Sequence, residues 1–296
     1  MTAMTPVGPT LTTTGVWSGR ARRSLGLPRR LRRAQIVLGA TVVAIWLVVM
    51  LTVQWWAPYD PFAASGPRLQ APSGSHWLGT DALGRDVLTR VLYGARQSLP
   101  TAGAVIASAV LIGGVAGTLA GYGGRWADAV VMRIADVTLA FPPILLAMAV
   151  AAALGPGLRN GLIAMVVVWW PIYARLVRAQ VLSVKNREHV DAAVVVGATR
   201  WRILRRHVLP LSLTPVLVNA TMDFGQVVIL TASLSFLGLG ALPPSPEWGS
   251  EITEGAKYFY QWWVAVAPGA AMLTVVLATN FMGDGLRDLL DPRSRR

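Results

Sequence analysis

The 296-residue chain contains no cysteine, which excludes disulfides, thiolate metal sites and a cysteine nucleophile together. Lysine is nearly missing as well. Only Lys185 and Lys257 occur, and neither ends a G-x-x-x-x-G-K-[ST] run, so no glycine-rich backbone is available to cradle a nucleotide phosphate. ATP hydrolysis by this chain is not expected. The three histidines, His76, His189 and His207, lack metal-ligand spacing, and no serine lies in a G-x-S-x-G elbow. Neither a metal centre nor a catalytic constellation is expected, and the chain does not read as an enzyme. Charge is also scarce, at 14% of residues against 54% hydrophobic. With a mean hydropathy of +0.51, the chain carries more apolar surface than one soluble core could bury. Its solvent is expected to be lipid.

What is present is a series of long apolar runs. Ile36 to Trp56 is long enough, at about 1.5 Å per residue, to cover roughly 30 Å, the thickness of a bilayer core. The run is too long for a cleaved signal sequence and no small-residue cleavage site precedes Pro58, so it is expected to remain as a signal anchor. Five more spans are predicted: Leu99 to Gly121, Ala129 to Leu154, Leu158 to Leu176, Leu211 to Leu239 and Trp263 to Met282. Pro142, Pro143, Pro171, Pro215 and Pro268 interrupt them, which a membrane bundle tolerates where neighbouring helices satisfy the freed carbonyls. The run GGVAGTLAGYGG from Gly113 is dense in small residues and permits close approach of another helix. The predicted class is all-α: a polytopic membrane protein with six transmembrane helices.

Charge asymmetry orients these spans. With the N-terminus inside, twenty-one of the twenty-seven basic residues fall on the inner side, while the outer segments are neutral overall. That bias is the positive-inside rule, and it places both termini in the cytoplasm. Juxtamembrane arginines facing anionic lipid account for the sequence pI of about 11.3, and no nucleic acid is needed as a partner. The chain then divides into a basic cytoplasmic arm over 1–35, whose residues 1–19 are expected to be disordered, and a first transmembrane helix with an outer segment over 36–98. A core bundle follows over 99–283 with an inner loop at 185–210, and a cytoplasmic tail over 284–296.

The inner loop reads KNREHVDAAVVVGATRWRILRRHVLPLSLTP from Lys185. Asn186 is a candidate cap for a short helix that Gly197 ends, and a second amphipathic helix is expected from Thr199 to Pro210, where the fifth span begins. Two short helices on a basic loop form a shape that can plug into a groove on another protein, or lie on lipid headgroups.

The stretch DAAVVVGATRWRILRRHVLP resembles the EAA loop of ABC-importer permeases. Ala192, Ala193, Gly197 and Pro210 match that pattern, while Asp191 stands where the family has glutamate, one methylene longer. HWLGTDALGRDVLTRVLYGARQSL from His76, DFGQVVILTASLSFLGLG from Asp223, PPSPEWGSEI from Pro243 and GDGLRDLLDPR from Gly283 are similar to segments of the C-type subunit of the dipeptide, oligopeptide and nickel branch. The resemblance covers roughly residues 35 to 293. It implies the type I importer permease fold in the bacterial inner membrane, pairing with a homologous permease. It also implies two cytoplasmic ATPase subunits, separate or fused, that bind ATP and Mg, and an extracytoplasmic binding protein that delivers substrate. This chain itself would carry no cofactor. Asp191, Ala192, Ala193, Gly197 and Pro210 would form the element that couples ATPase closure to the spans. Peptides are the expected cargo, with nickel or another small solute the alternative. An ion-coupled secondary transporter would need more intramembrane ionisable residues than Asp223.

Asn219, Asp223 and Gln226, at i, i+4 and i+7, project from one face of the fifth span. A carboxylate at that depth is expensive and faces a cavity or a partner. Two roles fit: lining the translocation path, with Asp223 meeting a cationic group of the substrate, or a polar interface with the partner permease. On the outer side, Asp81, Arg85 and Asp86, and the trio Glu247, Glu251 and Glu254 beside Trp248, are expected to be solvated surface or interfacial anchors.

Overall fold

In a computed structural model the structure describes residues 29–290. The arm over 1–28, including the stretch expected to be disordered, and the end of the tail over 291–296 lie outside the described residues. Among the described residues there are ten α-helices and no strand. Five helices are long and apolar enough to cross a membrane: α1 (Arg29–Trp56), α2 (Val87–Tyr122), α5 (Leu158–Lys185), α8 (Leu209–Phe236) and α10 (Trp263–Leu290).

The third predicted span is not one straight helix. α3 (Arg125–Leu139) and α4 (Pro143–Leu154) meet at 93° and supply a sixth span only if the pair is counted as one. The break falls at Phe141-Pro142-Pro143: two successive prolines lack the N–H groups that would continue the ladder, and their rings clash with the preceding turn. Pro171, Pro215 and Pro268 sit inside helices that run on through them. Asp136 falls within the predicted span, and the structure supplies its counter-charge: Arg175 of α5 donates to it at 2.5 Å.

The small-residue stripe packs α2 against α5. A Cβ on Gly113 would come 2.4 Å from the Trp170 carbonyl oxygen, and one on Gly117 the same distance from that of Ala174. Neither position has room for a side chain, so the two backbones approach as closely as helices can. Tyr173, fully buried on α5, sits in the space Gly113 leaves. This α2–α5 pair, with α8 and α10 packed alongside, holds the core, and two polar regions extend from its ends.

Candidate functional site

The inner region is built from α6 (Glu188–Val195) and α7 (Arg200–Ile203). Asn186 does not cap α6. It closes the C-terminus of α5, and Arg187 takes the capping position without a side-chain bond. Gly197 ends α6 as expected, with φ +81°, and the bonds that surround it are those of a Schellman motif. Gly197 N–H donates to the Val194 carbonyl at 2.9 Å and Ala198 N–H to the Ala193 carbonyl at 3.0 Å. Asp191 and Ala192 are exposed and Ala193 is half-buried. The tip is apolar: Val195 and Val196 are 87% and 86% exposed, which is unusual for two adjacent valines outside a membrane span.

Thr199 caps α7, accepting from Arg202 N–H at 3.4 Å. The second helix does not stop at Pro210. It passes through a π-helical turn over Leu204–Val208 into α8, with Pro210 in the first turn of that helix. The Leu209 N–H bonds to the Leu204 carbonyl, five residues back. The wider turn accommodates a proline that can neither donate to residue 206 nor pack tightly over it.

On α8, Asn219, Asp223 and Gln226 do share a face. Asn219 is half-buried and donates to the Pro215 carbonyl of its own helix at 2.9 Å, while Gln226 is exposed. Asp223 is half-buried and accepts a 2.8 Å hydrogen bond from the Tyr173 hydroxyl of α5. Its partner is therefore within this chain, an arrangement that spacing alone did not reveal. One turn before Tyr173, the indole N–H of Trp169 is buried and faces the same Asp223 carboxylate, outside ideal hydrogen-bond geometry.

The outer region overturns the expectation of solvated charge. Asp81, Asp86, Glu247 and Glu251 are 2%, 1%, 3% and 5% exposed, and Arg85 and Arg90 are equally covered. Residues 81–86 form a turn, with Gly84 at φ +77°, and α2 starts only at Val87. Asp81 accepts from the N–H groups of Leu83 and Arg85 and from Arg85 Nε at 2.6 Å. Asp86 caps α2 through Thr89 and lies 2.9 Å from His76 Nδ1. The second strip of the network comes from α9 (Trp248–Gly255) and its cap Glu247. Arg85 reaches Glu254 at 3.1 Å. Arg90 Nε lies 3.0 Å from Glu251 Oε1, an ion-pair contact at an angle that makes no hydrogen bond.

Four buried carboxyls thus face two guanidiniums and one imidazole. Burial pushes Glu251 up to about 8, against the pull of Arg90, and raises Glu247 as well. Trp248, fully buried, fastens this layer to α2. Its Nε1 donates to the Val91 carbonyl at 2.8 Å, and its ring fills the place where Gly94 has no side chain.

No group of three or more His, Asp or Glu among the described residues could hold a metal ion. His189 and His207 stand with ring centroids 6.2 Å apart, without a third ligand.

Comparison with known proteins adds names to this geometry. The family described as binding-protein-dependent transport system inner membrane component matches residues 109–296. The chain is 44% identical over 260 residues to the probable D,D-dipeptide transport system permease protein DdpC of Escherichia coli K12, covering 87% of each chain. It is 42% identical to the dipeptide transport system permease protein DppC of Alkalihalophilus pseudofirmus, over 88% of this chain and 86% of that one. A glutathione transport system permease protein, GsiD of Pectobacterium atrosepticum, is also 42% identical, over 90% and 89%. Among solved structures, a chain of the MetNI methionine ABC transporter superposes with a TM-score of 0.56 at 22% identity, over 69% of this chain and 97% of that one. That likeness concerns the fold.

Proposed function

The chain belongs to the family of binding-protein-dependent transport system inner membrane components, and on that premise we propose that it is a peptide-conducting permease subunit of an ATP-driven importer. The observation that carries the mechanism is the α6 tip, an apolar knob closed by Gly197 whose Val195 and Val196 are exposed while Val190 anchors the helix to the core. A short helix with exposed valines and small residues at Ala192 and Ala193 suits a groove on a second protein. A Cβ added at Gly197 would meet nothing within 4 Å, so a partner surface can approach the backbone there.

In this reading two ATPase subunits receive the knobs of this chain and of a homologous permease, and ATP and Mg are bound by those partners. Their closure draws the two knobs together. Because α7 runs through the π turn into α8 without a loop, displacement of the knob moves α8 as a lever, a rigid-body switch between two states. An extracytoplasmic binding protein delivers the cargo. The peptide assignment follows the names carried by the relatives, dipeptide and glutathione permeases among them.

Asn219, Asp223 and Gln226 are proposed to line the path, with Asp223 receiving the cationic terminus of a peptide. Tyr173 occupies one carboxylate oxygen and fixes the side chain. The test is uptake of a labelled dipeptide by the reconstituted complex with its binding protein. Asp223→Asn is expected to assemble normally and lose much of its transport. Normal transport with poor recovery of the complex would assign the residue to the permease interface instead.

A further inference from the structure

Beside the coupling element lies a cleft of about 430 Å³, nearly all apolar, between the inner half of α2 and the start of α8. Leu111, Gly114 and Val115 form one wall, Leu204 and Leu213 the other, and Trp201 closes the inner end. The two sides of α2 differ sharply. Gly113 and Gly117 are pressed against α5, whereas a Cβ on Gly114 would meet nothing within 4 Å. The cleft is open along its length: Leu111 is 68% exposed and Trp201 67%.

Its inner end is also where positive charge gathers. Arg200, Arg202, Arg205 and Arg206 are all exposed, and none makes an ion pair among the described residues. The Tyr122 hydroxyl, at the last residue of α2, donates to the Arg200 carbonyl at 3.0 Å and holds α7 beside the inner end of α2. A tryptophan at the mouth of an apolar groove, with unpaired guanidiniums on either side of it, is complementary to one amphiphile: an acyl chain below and an anionic headgroup above.

We propose that this cleft binds an anionic phospholipid of the inner leaflet, its acyl chain along Gly114 and Leu213 and its phosphate at Arg202 and Arg205. The site is separate from the α6 tip and stands whatever cargo the transporter carries. A lipid there packs against both α2 and the start of α8, the segment through which the knob would move the spans. Its occupancy then makes transport respond to the anionic content of the membrane.

The experiment uses the intact transporter in vesicles of phosphatidylcholine doped with phosphatidylglycerol. A phosphatidylglycerol carrying a photoreactive acyl chain is added, and labelled peptides are mapped by mass spectrometry. Label is expected on α2 near Gly114 and on α8 near Leu213. A Cβ at Gly114 has open space, so Gly114→Phe projects its ring into the cleft and should abolish that label. Arg202→Gln with Arg205→Gln should lower it roughly tenfold, while leaving the weaker label from a phosphatidylcholine probe unchanged. If Gly114→Phe fails to assemble, the arginine pair carries the test alone. No label at the cleft, because a partner helix covers it, would overturn the proposal. So would equal labelling by the two headgroups, or label indifferent to the arginines.

Discussion

The two polar ends of this molecule solve opposite problems. The outer end takes Asp81, Asp86, Glu247 and Glu251 out of water: Asp81 and Glu251 meet Arg85 and Arg90, Asp86 meets His76 and Thr89, and Glu247 meets Ser98 and the Ser250 N–H. The inner end leaves Asp191, Val195 and Val196 in the open, on a helix closed by one glycine. A buried charge network resists motion, because each group released from it strands another in a medium of low dielectric. An exposed knob, joined at the Gly197 turn to a helix that runs on into α8, transmits motion. The difference teaches that polar residues outside the membrane are not one class: here one set locks a cap and the other offers a handle.

The largest effect is expected at Arg90. Its guanidinium lies against Glu251 and Asp81 and donates to the Pro61 carbonyl at 2.7 Å. Arg90→Met takes from buried Glu251 its ion-pair contact and from Asp81 one of its two guanidiniums, and the loss of one partner from such a network costs about 3–5 kcal/mol. Thermal unfolding of the purified complex should show that loss, and the segment over 57–86 should become open to protease. Unchanged melting would mean that the outer network is decoration.

A milder probe sharpens the same contrast through pH. Glu251 rises from the ordinary glutamate value of 4.5 to about 8, chiefly by burial. The folded chain therefore holds this proton more tightly than the unfolded chain. The associated stability is complete below pH 4.5, is lost progressively as pH rises towards 8, and stays lost above it. The groups facing Glu251 are Arg90 of α2, Asp81 and Arg85 of the preceding turn, and Glu247 beside its own helix. Glu251→Gln, neutral at every pH, should flatten the decline in melting temperature between pH 5 and 8 that the parent shows, in scans across roughly that range. The inner knob, with no buried carboxyl, should contribute no such dependence.

Much of the architecture is legible in the sequence because it depends on local chemistry. Apolar runs mark the outer ends of α1, α5, α8 and α10 to within a turn, whereas α2 begins at Val87, well before the expected start at Leu99, because its first turns carry polar residues such as Thr89 and Arg90; the glycine stripe announces the α2–α5 contact. Gly197 is legible for the same reason, since only a residue tolerant of positive φ ends α6 in that way. What escapes is non-local. Arg85 and Glu254 are 169 positions apart, and nothing in either segment alone distinguishes a buried ion pair from a solvated one. The available clue was composition: acids set among Gly, Pro and Trp in PPSPEWGSEI, residues suited to close packing more than to a wet loop. Tyr173 escaped because an isolated tyrosine in an apolar span reads as packing, and its bond to Asp223 exists only once α5 and α8 are side by side. The 93° bend between α3 and α4 was signalled by Pro142-Pro143, but tolerance of proline elsewhere in the spans masked it.

If the α6 knob passes ATPase motion to the spans, Gly197→Val should interrupt it. Valine at φ +81° costs on the order of 1 kcal/mol locally, too little to unfold the bundle, and places a branched side chain where nothing now stands within 4 Å. The measurement is dipeptide uptake against ATP hydrolysis, made on the same reconstituted complex. The account predicts normal membrane insertion together with either loss of the ATPases from the complex or hydrolysis that no longer drives uptake. A variant that keeps its ATPases and transports like the parent at the same hydrolysis rate would contradict it.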